Sequence, residues 1–314
     1  MKIAIIDHSF HDTTKSSDFF INLIRRLGDV TVFLDPFWKG ERPDWSSNFD
    51  SRNFDCTIIW QWSHLLREKG RDWGSRSNVI IVPMYDHVAR ASRSEWRSLL
   101  SSYKTICFSR ALYDQARTCS HATRLFQYFP DPSDFPQLRS CAGLSGFWWN
   151  RTTDLNESLL VKICGPAIFD HITIRHIQDP GVQLHRQITK HQLPSRTVGQ
   201  TSWFDSKADY LQMLSRHNVF FAPRRFEGIG LAFIEAMALG LCVVAPDTPT
   251  HNEYIINRWN GILFKDGEEE VNLKNVSSIG DAARASIFAG YLRWQASIDD
   301  LLTFVIEPPS SVGL

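Results

Sequence analysis

The 314-residue chain has no C-x-x-C pair, no D-x-D triplet and no His/Cys/Asp cluster at metal-ligand spacing. Its six cysteines, Cys56, Cys107, Cys119, Cys141, Cys164 and Cys242, are scattered, several of them inside apolar runs. That pattern describes buried reduced thiols, not a disulfide framework, a zinc site or a redox motif. Net charge is also missing: 34 Lys and Arg balance 34 Asp and Glu. A chain without a broad basic field is not built for nucleic acid, so any anion recognition must be local. No uncharged apolar stretch is long enough to span a bilayer, and the opening run Met1 to Ile6 meets Asp7 too soon for a signal peptide. These absences predict a soluble cytoplasmic chain with no metal and no nucleic-acid partner. Its length allows two α/β domains of ordinary size.

What is present centres on residues 219–264. The apolar run Val219-Phe220-Phe221-Ala222 ends in Pro223-Arg224-Arg225, and Phe226-Glu227-Gly228-Ile229-Gly230 forms a turn before the helix formers Leu231 to Leu239. Gly240 stands where a helix C-cap glycine belongs, and Leu241 to Ala245 is the next short apolar run. The unit is therefore β-α-β. In such units a helix N-terminus near the carboxyl end of a strand offers free N–H groups to an anion. Glu227 lies in the turn and Glu235 in the helix, eight positions on. Carboxylates repel phosphate, so their task beside an anion site is to accept hydrogen bonds from hydroxyls, and a nucleotide-sugar carries both.

The segments Phe226-Glu227-Gly228-Ile229-Gly230-Leu231, Ile234-Glu235-Ala236-Met237-Ala238, Val243 to Asp247, Glu253-Tyr254-Ile255 and Asn260 to Phe264 occur in order. Together they resemble the E-x7-E region of retaining GT-B glycosyltransferases (the glycosyltransferase family 4-like, group 1 superfamily). The resemblance implies an α/β fold of two Rossmann-like doubly wound parallel-sheet domains facing a cleft. It implies that Glu227 holds the donor sugar and Glu235 the ribose. It also implies a metal-independent transfer that retains anomeric configuration, in which the leaving phosphate takes the acceptor proton. The donor is then a nucleotide-sugar and the acceptor a glycan or lipid-linked glycan of bacterial surface polysaccharide. Gly228, Gly230 and Leu231 would line the nucleotide, and Thr248 and Thr250 would stand in for a Gly-Gly loop common in relatives.

Along the chain, strands are expected at Lys2–Asp7, Val30–Leu34, Asp55–Trp60, Val79–Met84 and Tyr103–Phe108, with an amphipathic helix over Ser17–Leu27. Residues 1–135 form an acceptor-side domain and the Pro/Gly/Ser/Thr-dense stretch 136–157 a linker. Residues 158–290 form the nucleotide-sugar domain, opened by a strand at Leu159–Gly165. A last helix, 291–314, returns to the first domain. His87, after the fourth strand, resembles the strand-end histidine of GT-B acceptor domains, although the order here is Asp86-His87. Arg90, Arg93 and Arg97 beside Trp96 form a basic stripe that suits an anionic membrane surface.

The family places an Arg and a Lys after the first strand of the second domain to hold the diphosphate, yet Pro166 follows Gly165 here. Charge that builds on a leaving diphosphate still needs cations. Arg224 and Arg225 are the candidates, with Arg151 and Lys162 behind them. Two rivals stay open. An inverting transferase would need a general base in the first domain, and His8, His11 or Asp12 after the first strand are placed for it. A non-catalytic nucleotide-sugar-binding protein is the other. An NAD-linked oxidoreductase is disfavoured because Gly228-Ile229-Gly230 lacks the third glycine of G-x-G-x-x-G and comes late in the chain.

Overall fold

The computed structural model describes residues 1–61, 78–88, 94, 103–120, 122–136, 138, 141–152, 155–177, 193–265 and 270–309. The chain divides into two compact units, Met1–Gln127 with Trp294–Leu314, and Tyr128–Arg293. The basic stripe of Arg90, Arg93 and Arg97 falls outside the described residues.

In the first unit, β1 (Lys2–His8), α1 (His11–Thr14), α2 (Asp18–Ile24), β2 (Asp29–Asp35), β3 (Cys56–Trp60), β4 (Asn78–Val82), α3 (Tyr85–Val88), β5 (Lys104–Cys107), α4 (Arg110–Ala116) and β6 (Thr123–Leu125) follow in order. The six strands make one parallel sheet, ordered β2-β1-β3-β4-β5-β6. β3 and β4 are buried along their whole length, and β1 from Ile3 to Asp7, as expected for parallel strands covered on both faces. β1 pairs with β2 on one side and with β3 on the other, Ile3 against Val30 and against Cys56. The order of connection reverses between β1 and β3, so this pair forms the sheet's topological switch point.

The second unit runs β7 (Ser145–Asn150), α5 (Glu157–Cys164), β8 (Phe169–His176), β9 (Ser195–Thr201), α6 (Lys207–Leu214), β10 (Val219–Phe221), α7 (Leu231–Leu239), β11 (Cys242–Pro246), α8 (His251–Tyr254), β12 (Ile262–Phe264) and α9 (Val276–Ile306). Its sheet is parallel and ordered β12-β11-β10-β7-β8-β9. Counted from β7 this is the 3-2-1-4-5-6 order of a dinucleotide fold read from the far edge, with its switch point between β7 and β10. Its core gathers Trp148, Leu160, Ile163, Phe169, Ile172, Val219, Phe221 and Val244.

Two expectations are corrected here. The apolar run from Leu159 is α5, not a strand. Its buried residues Leu160, Ile163 and Cys164 fall at helical spacing, and the Asn156 side chain accepts the Leu159 N–H at 3.0 Å as the cap. The strand that opens the second unit is β7, inside the stretch taken as a linker. Gly143 and Gly146 punctuate it, but Phe147-Trp148-Trp149 supply the aromatic content that a pleated, buried surface favours.

The long helix α9 contributes its residues up to Arg293 to the second unit and those from Trp294 to the first. In the first unit the end of α9 is tied to the sheet by Lys104, which is fully buried in β5. Its ammonium donates to the carbonyls of Phe304 and Glu307, the latter at 2.6 Å, and to Asn78 Oδ1 at 3.1 Å. The Asn78 amide in turn donates to Val305 O at 2.7 Å. Among the described residues no helix is long and apolar enough to cross a membrane.

Candidate functional site

At the switch point of the second sheet, β10 ends at Phe221 and the chain turns outward through Pro223, Arg224 and Arg225. Gly230 then takes φ +83°, and a Cβ there would lie 1.9 Å from the Phe233 ring, so the position needs glycine. α7 starts immediately after it with no side chain capping its first turn. Its leading N–H groups and the positive end of its dipole are thus left for an anion.

The residues marked by the sequence gather around this turn. Glu227 is 5% exposed and its Oε2 stands 4.0 Å from Arg224 Nη1. Glu235 projects from the second turn of α7, 8% exposed, with Oε1 2.7 Å from Lys207 Nζ. Gly228 and Leu231 flank Gly230, as the motif demands. Arg151 directly follows β7, its guanidinium 4.5 Å from the Trp149 ring centre. With β7 as the true first strand, the position at which the family resemblance implies an arginine is therefore filled by Arg151.

Of the hydroxyl and backbone donors expected from the two threonines, the hydroxyls hold a different post. Thr248 Oγ1 donates to Arg225 O at 2.5 Å, and Thr250 Oγ1 donates to Glu227 O at 2.7 Å and Gly228 O at 3.2 Å. Their hydroxyls are committed to the backbone of the turn and fix its shape, instead of facing a phosphate. Beneath them His251 is fully buried against Phe233, with ring centres 4.9 Å apart. Burial lowers its pKa to about 3, so it stays neutral. Lys162 is also corrected: it is exposed in the last turn of α5, at the end of that helix remote from the carboxyl ends of the strands.

Sequence reading missed three residues of this region. Lys207 opens α6 and reaches Glu235. Arg175, near the carboxyl end of β8, is 6% exposed and lies over Trp149, with Tyr210, Phe204 and Trp203 around it. Burial lowers the Arg175 pKa and raises that of the buried Tyr210 phenol. No motif announces either, because the cage draws on residues 149, 175, 203, 204 and 210 from four separate places in the chain. Lys207 belongs to no motif that the sequence reading recognised. Among the described residues no group of three or more His, Cys, Asp or Glu is placed to hold a metal ion.

The first unit carries a second cluster at its own switch point. Asp7, 1% exposed at the end of β1, accepts from Ser17 Oγ at 2.5 Å and from the His8 N–H at 2.7 Å. Its Oδ1 also stands 2.7 Å from His11 Nδ1. With Asp7 ionised the shared proton sits on Nδ1, which leaves Nε2 of His11 as a hydrogen-bond acceptor. His8 stacks against Trp38 and accepts from the Phe10 N–H at 3.3 Å. Burial, followed by the nearby His11 and His87, lowers its pKa to about 4. His87 Nε2 stands 3.0 Å from the amide of Gln61, which follows β3 in the left-handed region at φ +66°. Asp12 is excluded from this cluster as a base: it is exposed and paired with Lys15 at 3.0 Å.

Residues 151–279 match the family model of glycosyl transferases group 1. None of the curated proteins matches the sequence. Among solved structures the chain is similar to HepE of Anabaena in complex with UDP and glucose, at 16% identity and TM-score 0.67, covering 96% of this chain and 99% of that one. Sucrose-phosphate synthase of Thermosynechococcus elongatus gives 15% identity and TM-score 0.61, with 96% and 97% covered. The lipopolysaccharide outer core galactosyltransferase WaaB in its apo form gives 13% and 0.58, with 98% of each chain covered. With its two six-stranded parallel sheets, the chain has the GT-B fold of these structures.

Proposed function

We propose that this chain is a glycosyltransferase that moves a sugar from a nucleotide-sugar donor to a glycan or lipid-linked glycan acceptor with retention of configuration, in bacterial surface polysaccharide synthesis. The observation that carries this reading is the pair Glu227 and Glu235, both almost buried, set on either side of the uncapped start of α7 at a sheet switch point. Glu227 accepts hydrogen bonds from the donor sugar hydroxyls and Glu235 from the ribose. Support comes from the group 1 match, which spans both residues, and from HepE, whose structures hold UDP and UDP-glucose.

In the transfer the bond from the anomeric carbon to the diphosphate breaks and its electron pair leaves on the phosphate oxygen. The acceptor oxygen bonds to the same carbon from the same face, and its proton passes to the departing phosphate. The partners we assign to the negative charge that grows there are Arg224, Arg225, Arg151 and the first N–H groups of α7. Fixed donors of this kind in a partly dry site stabilise a transition state more than water does. With that cationic set the enzyme needs no metal. The same reading makes it a cytoplasmic enzyme in peripheral contact with an anionic membrane where its acceptor is lipid-linked.

The test is release of nucleoside diphosphate from UDP-, GDP- and dTDP-sugars, with and without glycan acceptors. Turnover of one donor, reduced at least about a hundredfold in Glu227→Gln, supports the assignment, since removal of one transition-state partner costs on that order. Absence of turnover, including slow hydrolysis, overturns it and leaves the non-catalytic binder.

The Asp7 and His11 pair favours one second reading, an inverting transferase. A buried carboxylate that fixes a histidine tautomer is the arrangement that makes Nε2 a general base, which would take the acceptor proton in place of the phosphate. The anomer of the product, read by NMR, separates the two. Under inversion His11→Ala loses several orders of magnitude in kcat, while under retention substantial turnover survives.

A further inference from the structure

We infer that Arg175, Tyr210 and the rings around them are the seat of the donor's nucleobase, and that this seat selects a base with an exocyclic keto oxygen (uracil, thymine or guanine) over one with an exocyclic amine. The inference rests on the nucleotide-sugar reading above and goes further by naming the class of nucleotide.

The Arg175 guanidinium carbon lies 4.2 Å from the centre of Trp149, 4.9 Å from Tyr210, 5.2 Å from Phe204 and 5.5 Å from Trp203. Arginine on aromatic faces is common, but a buried arginine normally also meets a carboxylate or a row of carbonyls. Here, among the described residues, Arg175 has no hydrogen bond and no ion pair, and its buried Nε has no acceptor. The buried hydroxyl of Tyr210 is likewise without a partner. Two side chains more than nine-tenths buried thus hold polar atoms without partners inside one aromatic cage. Buried polar atoms left unmatched in this way mark where a ligand or water supplies the missing group.

Position says which part of the ligand that is. β8 is separated from β10 by β7 alone, which puts Arg175 roughly 10 Å across the sheet from the turn that holds Glu227. A diphosphate at the start of α7 and a ribose on Glu235 direct the rest of the nucleotide along the line set by Lys207. That residue contacts Glu235 and opens α6 a few positions after Trp203 and Phe204. The base then falls on the cage. Trp203, 47% exposed, is the wall that solvent reaches and the surface on which a base can stack.

Chemistry sets the preference. A guanidinium only donates, so it gains a charge-assisted bond facing O4 of uracil or thymine or O6 of guanine. Facing N4 of cytosine or N6 of adenine it meets another donor. The Tyr210 hydroxyl turns to suit either and adds a bond without choosing.

The experiment is a titration of the intact chain with UDP, dTDP, GDP, CDP and ADP, followed by tryptophan fluorescence, since Trp149 and Trp203 both wall the cage. The three keto nucleotides should bind at least about tenfold more tightly than CDP and ADP. Arg175→Gln, whose side-chain amide can turn either an oxygen or an N–H toward the base, should still bind UDP but lose most of that preference. Tyr210→Phe, which keeps the ring and removes only the hydroxyl, should weaken UDP about threefold or more. Equal affinity for all five nucleotides, or an unchanged preference in Arg175→Gln, overturns the inference while leaving glycosyl transfer standing. Should Arg175→Gln fail to fold, Tyr210→Phe decides, and unchanged UDP affinity overturns it. Binding of none of the five instead removes the nucleotide-sugar reading itself.

Discussion

Lys104→Met tests how the first unit is held together. The substitution keeps a long, flexible side chain and deletes the ammonium that closes the end of α9. Lys104 is fully buried, and its Nζ donates to Phe304 O, to Glu307 O at 2.6 Å and to Asn78 Oδ1 at 3.1 Å, with the Phe304 ring centre 4.7 Å away. The last carbonyls of a helix have no partner within it, so the lysine serves as their cap. Each charge-assisted bond contributes about 1.5–3 kcal/mol, and each carbonyl stranded in a dry site costs about 1–3 kcal/mol. Against this stands the cost of burying the charge, which lowers the Lys104 pKa from 10.5 to about 8. At about 1.4 kcal/mol per pH unit, that opposes the charged form by about 3 kcal/mol. The net loss in Lys104→Met should nonetheless be about 3–5 kcal/mol, because two helix-end carbonyls and the Asn78 amide oxygen lose their donor in a dry site, as when one partner of a buried charged contact is removed. The pH dependence follows from the same shift. Between pH 8 and 10.5 the unfolded chain binds this proton and the folded chain does not, so the parent gains stability as pH rises through that window and the variant does not. Urea unfolding at several pH values, with hydrogen exchange of the last turn of α9, measures both. A variant within about 0.5 kcal/mol of the parent, the range of a neutral surface change, would refute the capping argument.

Gly230→Ala should destabilise the second unit by at least about 1–3 kcal/mol and abolish donor binding, because its Cβ meets the Phe233 ring in a left-handed backbone; an unchanged melting temperature would contradict this. Glu235→Gln should raise the donor KM more than it lowers kcat, since ribose contacts are made alike in ground and transition states; steady-state kinetics separate the two, and a pure kcat defect would count against the ribose role. Acid should destabilise the fold from about pH 6.5 downward. His251, with a pKa lowered to about 3, and His217, lowered to about 4, stay neutral while the unfolded chain takes up protons. Thermal melts from pH 7 to 4 should show this, with a shallower slope in His251→Phe.

How much the sequence disclosed depended on how local each feature is. The stretch from Val219 to Gly240 was readable because each part signals its own state: an apolar run, a glycine turn, helix formers and a closing glycine. The expected helix Leu231–Leu239 has the observed bounds. α5 was misread because Leu159 to Cys164 is apolar enough to pass for a buried strand, and only its Asn156 cap told otherwise. β9 escaped notice for the opposite reason. It is the edge strand of its sheet, half open to water, and Ser195-Arg196-Thr197-Val198-Gly199-Gln200-Thr201 carries almost no apolar pattern. Glu227 and Glu235 were legible because they lie eight positions apart in one motif. Lys207, Arg175 and Tyr210 were not, since only the sheet order brings them to the same edge. Asp7 shows the middle case: it was read as the end of a strand, while its hold on His11 and Ser17 emerged only from the turn that follows.

The charge pattern ties these results together. Over the whole chain basic and acidic residues cancel, so a donor diphosphate is not drawn in by any overall field. At the carboxyl edge of the second sheet cations and carboxylates stand close together. Arg151 follows β7, Arg175 stands at the end of β8, Lys207 opens α6, and Arg224 with Arg225 follows β10, while Glu227, Glu235 and Asp247 stand at the same edge, with Lys207 2.7 Å from Glu235, Arg224 4.0 Å from Glu227 and Lys265 3.8 Å from Asp247. Both glutamates already lie near a cation, so a ribose or sugar hydroxyl that takes a carboxylate lone pair leaves Lys207 or Arg224 freer to turn toward phosphate. Under the proposed function, donor binding converts internal ion pairs into contacts with the ligand. Because Lys207 is exposed and Arg151, Arg224 and Arg225 are half-buried, their hold on the diphosphate weakens with ionic strength, whereas hydroxyl bonds to the nearly buried glutamates do not. Raising salt should accordingly weaken nucleoside diphosphates more steeply than nucleosides, and equal salt slopes for UDP and uridine would place the diphosphate somewhere other than this edge.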